Sequence, residues 1–217
     1  MGEEVFEKNY FKNIYNNSYD KRNPSYKFKS YLHHIKPFLK NDSLLLDIGC
    51  AYGSFLKESK KYTNIHGVDI SSHAVNIAKS RLPNTKIWQS DLLSIKESSL
   101  YDVVTCFDVI EHIPQIREAL RHIKTILKED GILVITVPVY DTVVGKLVRK
   151  VDKDPTHEHK NSRYWWINML KDEGYKVLKW KGIWRYYFEN IFYLHYISLL
   201  TRSFTPAIII IAKNEND

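Results

Sequence analysis

Four aspartates, Asp47, Asp69, Asp91 and Asp108, stand at or just past the ends of four strand-like runs. In an open α/β sheet, ligands bind at the carboxyl ends of the strands, where the strand order reverses. Any one of these acids alone would serve as a helix cap or turn residue. Four at successive strand ends point to a shared ligand that offers hydroxyls, amino groups or positive charge. The first run, "LLLDIGCAYGSFL" (44–56), carries Asp47, Gly49 and Gly53 in the order Asp-x-Gly-x-Ala-x-Gly. Asp69 closes the next strand and is placed to accept hydrogen bonds from ribose hydroxyls. A dinucleotide would need a pyrophosphate beside that turn, and Asp47 would repel it. The turn suits an ammonium or sulfonium instead, which argues against a dehydrogenase.

These acids need a sheet to hold them in register. "SLLLDIG" is apolar at consecutive positions, as in a strand buried on both faces. "GSFLKESKKY" predicts a helix, "NIHGVDI" a strand and "SHAVNIAKSRL" a helix stopped by Pro83. "KIWQSDL" and "YDVVTCFDVI" follow as strands. "PQIREALRHIKTILKEDG" predicts a helix with Pro in its first turn and Gly131 beyond its end. "ILVITVP" is the next strand, "SRYWWINMLKDEG" a helix starting near Asn161, and "YKVLKWKG" and "PAIIIIAK" are late strands. Repeated βα units imply a Rossmann-like, doubly wound, seven-stranded sheet, mostly parallel with an antiparallel edge strand. Residues 1–40 form an N-terminal arm and helix, a possible lid. Residues 41–217 form the main domain, with an aromatic insertion at 183–205 whose core, 183–200, reads as a helix packed on the sheet or a dimer face, the alternatives being an acceptor pocket for an apolar or aromatic substrate or an interfacial patch for a lipid-linked one.

The chain has 217 residues, 44% hydrophobic and 26% charged, a length for one α/β domain. Lys and Arg exceed Asp and Glu by 32 to 25, giving +7, but no block of five basic residues occurs. That pattern is solvated surface rather than a nucleic-acid footprint. Cys50 and Cys106 form no CxxC pair, so neither a zinc site nor a disulfide framework is expected. The first residues lack a signal-peptide core, and no apolar stretch is long enough to span a bilayer. A cytoplasmic protein, monomer or homodimer, is expected.

The motifs resemble those of class I S-adenosylmethionine-dependent methyltransferases across roughly residues 40–140. "LLLDIGCAYGSFL" resembles the family's first motif, "HGVDIS" its second and "QSDLL" its adenine-side acid loop. "YDVVTCFDVIEHI" and "LKEDGILVITVP" are similar to its fourth- and fifth-strand motifs. Ala51 departs from the glycine many members carry. The resemblance implies that Asp47, Gly49, Cys50 and Gly53 surround the methionine part of S-adenosylmethionine. It implies that Asp69 binds ribose, with Ile70 on the adenine, and that Asp91 meets the adenine amino group beside Leu92. Phe107 and Asp108 would line the methionine end.

The acceptor is narrowed by what is missing. No NPPY-like stretch follows the fourth strand, which disfavours adenine or amide nitrogen, and Cys106 lies inside a strand, away from covalent pyrimidine chemistry. Asp108, Glu111 and His112, at i, i+3 and i+4, converge on one face of a turn and could hold a divalent ion or steer a proton. The ubiquinone-biosynthesis O-methyltransferases resemble this stretch and use it with magnesium. The same pair is widespread in members needing no metal, so cofactor shaping is the preferred role and no metal is assigned. "DPTHEHKNSRYWW" offers His157, and less directly His159, as a proton acceptor. The alternative is that Asp154 and Thr156 fold the turn while a histidine caps the next helix. The expected activity is O-methylation of a small or lipid-linked hydroxylated molecule, with His112 or His157 taking the proton and peripheral membrane contact open. An RNA methyltransferase and a non-catalytic S-adenosylmethionine-binding subunit are the alternatives.

Overall fold

A computed structural model describes residues 6–15, 18–96, 98, 100–151, 154–188 and 192–215. Three short helices, α1 (Lys8–Tyr15), α2 (Tyr19–Arg22) and α3 (Ser25–Ile35), precede β1 (Leu44–Ile48). There follow α4 (Ser54–Ser59), β2 (Asn64–Asp69), α5 (Ser72–Arg81), β3 (Lys86–Gln89) and β4 (Tyr101–Phe107). Then come α6 (Ile116–Ile126), β5 (Leu127–Pro138), α7 (Val143–Val151), α8 (Arg163–Asp172), β6 (Tyr175–Phe188), β7 (Phe192–Ser198) and β8 (Ala207–Asn214). The sheet has eight strands in the order β3-β2-β1-β4-β5-β8-β6-β7. The first five are parallel, β8 runs antiparallel between β5 and β6, and β7 is antiparallel at the edge.

β8 shows why the sheet is covered on both sides. Ile208, Ile210 and Ala212 enter the core beneath α6 and α8, while Ala207, Ile209 and Ile211 enter the one beneath α3 and α4. With period-two alternation and no polar face, the strand must be central. Truncating one of these isoleucines to alanine would cost about 2–5 kcal/mol.

Three sequence expectations change. The sheet has eight strands rather than seven, because 183–200 is no helix: it completes β6 and forms β7. Glu189, Asn190 and Ile191 of that segment lie outside the described residues, as do residues 1–5 of the arm. Aromatic and β-branched residues favour a pleated surface, and pairs such as Trp184↔Tyr196, Arg185↔His195 and Tyr186↔Leu194 alternate between faces. The α6 helix ends at Ile126, short of Gly131, because Leu127 turns extended (ψ 144°) and pairs with Tyr101 of β4. The α7 helix was not legible in the sequence. Finally, Ser162 caps α8 by accepting from Trp165 N at 3.1 Å, so no histidine does.

Candidate active site

The parallel strands end at a cavity of about 200 Å³. Asp47, Gly49, Cys50, Asp69 and Ile70 line one side, and Asp91 and Leu92 extend it. Phe107, Asp108 and His112 line the side after β4. Phe6, Tyr10, Phe11, Tyr15 and Tyr19 of the N-terminal arm close the rest. Gly53 does not line the cavity; it caps α4 at φ 75° and packs on Ala78 and Leu82 of α5. His157 does not line the cavity; its ring lies against that of His112, which does.

The β1 turn explains its glycine. Gly49 has φ +72°, and a Cβ there would collide with Val109. Its N–H donates to Val68 O at 2.8 Å, bending the chain under the cavity floor. Cys50 and Cys106 are buried, and burial pushes both thiols well above their ordinary pKa, so neither is a nucleophile.

The acids behave differently from one another. Asp47 is 3% exposed and accepts from Thr105 Oγ1 at 2.6 Å, while burial raises its pKa to about 7. Asp69 accepts from Ala51 N at 2.8 Å and Ser71 N at 2.9 Å, and burial raises it to about 6. Among the described residues neither has a cationic partner within salt-bridge distance. Asp108, at φ 56°, swings to Arg185 of β6, whose Nη1 donates to both carboxylate oxygens at 2.6 Å. Thr136 adds a hydrogen bond at 3.0 Å, and Lys27 of α3 lies 3.8 Å away. Against the pull of burial, Arg185 and then Lys27 hold this carboxyl near 2.

Lys27 and Arg185 were not singled out from the sequence. Lys27 is buried, bonds Asn23 Oδ1 at 2.9 Å, and is the single lysine or arginine among the described residues lining the cavity. Burial lowers its pKa to about 8, against the opposing pull of Asp108. Arg185 carried one usable signal, the single charge in the aromatic run 182–188.

After β4 the expected convergence of Asp108, Glu111 and His112 is rearranged, because Asp108 faces Arg185. Glu111, His112 and His157 come together instead, with ligand atoms within 4.8 Å of one another, a donor set that suits a divalent transition metal. Glu111 is fully buried with both carboxylate oxygens unpartnered, and burial, then Asp108, raises its pKa well above the ordinary value. His112 Nδ1 lies 3.1 Å from the Thr156 carbonyl oxygen and 2.8 Å from Thr156 Oγ1. The Thr156 hydroxyl donates to Asp154, so Nδ1 carries the proton and Nε2 the lone pair. Burial, then His157, lowers the His112 pKa and keeps the imidazole neutral. His157 lies with its ring 4.7 Å from that of His112 and Nδ1 3.3 Å from Tyr140 Oη. His159 is held elsewhere, its Nε2 2.8 Å from Ile113 O and its ring stacked on Trp165.

The comparisons with known proteins decide the family. A methyltransferase-domain family model matches residues 19–187. The chain belongs to the class I S-adenosylmethionine-dependent methyltransferases. A ubiquinone/menaquinone biosynthesis C-methyltransferase of Campylobacter jejuni is 32% identical over 107 residues, 45% of this chain and 46% of that one. A ubiquinone biosynthesis O-methyltransferase of Glaesserella parasuis is 31% identical over 104 residues, 42% and 44% of the two chains. The chain thus spans less than half the length of these curated relatives. Among solved structures, the magnesium protoporphyrin IX methyltransferase of Synechocystis, with bound S-adenosylhomocysteine, superposes with TM-score 0.68 at 17% identity, covering 97% of each chain. This methyltransferase therefore shares the family's sheet, with β6 and β7 forming a hairpin at its edge.

Proposed function

We propose that this methyltransferase moves a methyl group from S-adenosylmethionine to a hydroxyl of a small or lipid-linked molecule. The observation that carries the acceptor chemistry is the neutral His112 on the cavity wall, its Nδ1 proton directed at Thr156 and its Nε2 lone pair free to receive a proton. The residues at the opposite wall fit the cofactor. Asp69 and Asp91 would accept from ribose and the adenine amino group, with Ile70 and Leu92 against the ring. Gly49 and Cys50 give the methionine part close access to backbone, and the Asp47 carboxylate, once ionised, favours positive charge nearby. Lys27, the single lysine or arginine among the described residues of the lining, would take the cofactor carboxylate. When bound, the cofactor supplies a methyl group on a positively charged sulfur.

His112 would draw the acceptor's proton as the oxygen commits, while Phe6, Tyr10 and Phe11 of the arm exclude water. His157 would share the proton by its contact with His112. The relatives include both C- and O-methyltransferases; a neutral base within the pocket favours oxygen. The Glu111, His112 and His157 group would act in proton handling, with no metal required. Radiolabelled methyl transfer to a panel of phenols, catechols and their prenylated forms tests this reading, run before and after dialysis against a chelator. Transfer to hydroxyls that survives chelation supports it. Loss of transfer restored by a divalent ion would make the cluster a metal site, and methylation at ring carbon alone would sink the O-methyl assignment.

A further inference from the structure

The aromatic insertion has a second face. Within the β6–β7 hairpin, Arg185 and His195 point toward the cavity side, so their neighbours Tyr186, Leu194 and Tyr196 point away, and all three are exposed. The turn after β7 continues that face: Trp184 Nε1 donates to Thr201 Oγ1 at 2.8 Å, and Leu199, Leu200 and Phe204 project outward, Leu200 being 94% exposed. The α7 helix joins it. Arg163 of α8 donates to the carbonyls of Arg202 and Thr205 in the turn, and also grips Asp141, two residues before α7. Val143 and Leu147, one helical turn apart, are 77% and 59% exposed. Large apolar side chains exposed on neighbouring elements in this way mark an interaction surface.

The charge of the face selects the partner. Residues 143–151 and 192–206 contain Lys146, Arg149, Lys150 and Arg202 and no Asp or Glu. Tyrosines beside a basic amphipathic helix match the interfacial region of a bilayer, where ring and hydroxyl find different surroundings and lysines meet anionic headgroups. We infer that the face formed by α7, the 199–204 turn and the outer side of the hairpin docks on an anionic phospholipid surface. The α7 helix ends at Val151 and the loop bearing His157 starts at Asp154, so docking sets the catalytic loop close to the lipid. The inference rests on the lipid-linked part of the proposed acceptor class and deepens it: the enzyme meets its acceptor at the bilayer.

Sedimentation of the full chain with vesicles tests the inference, using pure phosphatidylcholine and phosphatidylcholine mixed with phosphatidylglycerol. Binding is expected only with the anionic vesicles and should weaken as salt rises. Reversing two charges with Lys146→Glu and Lys150→Glu should weaken it roughly tenfold or more. Leu200→Ser with Phe204→Ser should weaken it at all salt concentrations. S-adenosylhomocysteine binding by calorimetry must persist in every variant, which certifies the fold and keeps the methyltransferase reading separate. Equal binding to both vesicle types, or no binding by a protein that binds S-adenosylhomocysteine, overturns the docking inference alone. So would a dimer in analytical ultracentrifugation that the Leu200→Ser, Phe204→Ser variant dissolves, since a second copy would then own the face.

Discussion

Asp47, Asp69 and Asp108 occupy matching places at the tips of neighbouring strands, yet their carboxyls sit near 7, 6 and 2. Burial pushes the first two up, because among the described residues their hydrogen-bond partners are a hydroxyl and backbone N–H groups. The third has Arg185 and Lys27. The β1–β2 half of the sheet thus leaves its acids short of positive charge, whereas Asp108 on the β4–β6 side already has its counter-charges. The difference teaches where a ligand is needed. A buried acid without a counter-charge keeps its proton to higher pH, and a donor-rich or cationic molecule that binds there favours the ionised form; a paired acid is architecture that also sets the field for its neighbours.

The largest effect should come from the β4 side. His112→Ala should lower single-turnover methyl transfer by about 10²–10⁴-fold, the usual worth of a positioned base, while S-adenosylhomocysteine binding is retained. Equal loss of binding would mean that His112 shapes the cofactor site instead.

The comparison itself breaks if Arg185→Met is harmless. Removing that guanidinium leaves Asp108 with the more distant Lys27 alone, and chemical unfolding should report a loss of about 3 kcal/mol, reduced by the partial exposure of the pair. Adding Asp108→Asn should recover most of it. No recovery would mean that Arg185 acts through packing on Tyr31 and Tyr193 rather than through charge.

On the other half, Asp69→Ala should weaken S-adenosylhomocysteine binding by roughly tenfold to a hundredfold, the worth of about 1.5–3 kcal/mol for hydrogen bonds to a charged group. The pH dependence carries the same contrast. Because the folded carboxyls of Asp47 and Asp69 lie above their ordinary value, the unliganded protein loses their contribution to stability as pH rises from about 4 toward 6 and 7. A ligand that prefers the ionised acids gains affinity over the upper part of that window. Lys27 then takes affinity away as pH rises through about 8, where its ammonium is lost. Calorimetric titrations across pH should trace a bell, and a flat profile would remove both groups from the cofactor site.

The smallest effect sharpens the assignment of Lys27. Lys27→Met should narrow the preference for S-adenosylhomocysteine over methylthioadenosine, which lacks the amino acid part, by about tenfold. An unchanged preference would leave the carboxylate to backbone groups.

The legible part of the site is the part made by neighbours in sequence. A strand, a glycine turn and a terminal acid lie within a few residues, so Asp47, Gly49, Asp69 and Asp91 could be placed at one sheet edge from spacing alone, and the cavity gathers them. Gly53 belongs to the same stretch but serves helix α4 and its packing on α5. The illegible part is made by distant pairings. Arg185 reaches Asp108 across 77 residues of chain, through a hairpin whose aromatic run reads equally well as a helix when its partner strand is unknown. Likewise, Asp108 could be foreseen at the strand end, but not its left-handed turn away from Glu111 and His112. His157 joined His112 because the Glu158 and His159 N–H groups donate to Glu111 O, a loop-to-loop contact that spacing does not encode.

Gly182 carries a consequence for engineering. A side chain there would run into Thr205 and the backbone of Arg202, in the turn whose carbonyls hold Arg163 and, through it, Asp141. The hydrogen of Gly182 therefore leaves room for the turn that, through Arg163, ties the hairpin to the segment leading into α7. A library that varies Leu147, Leu200 and Phe204 while holding Gly182 and Arg163 constant would probe the face proposed to dock on lipid at positions that do not line the cavity.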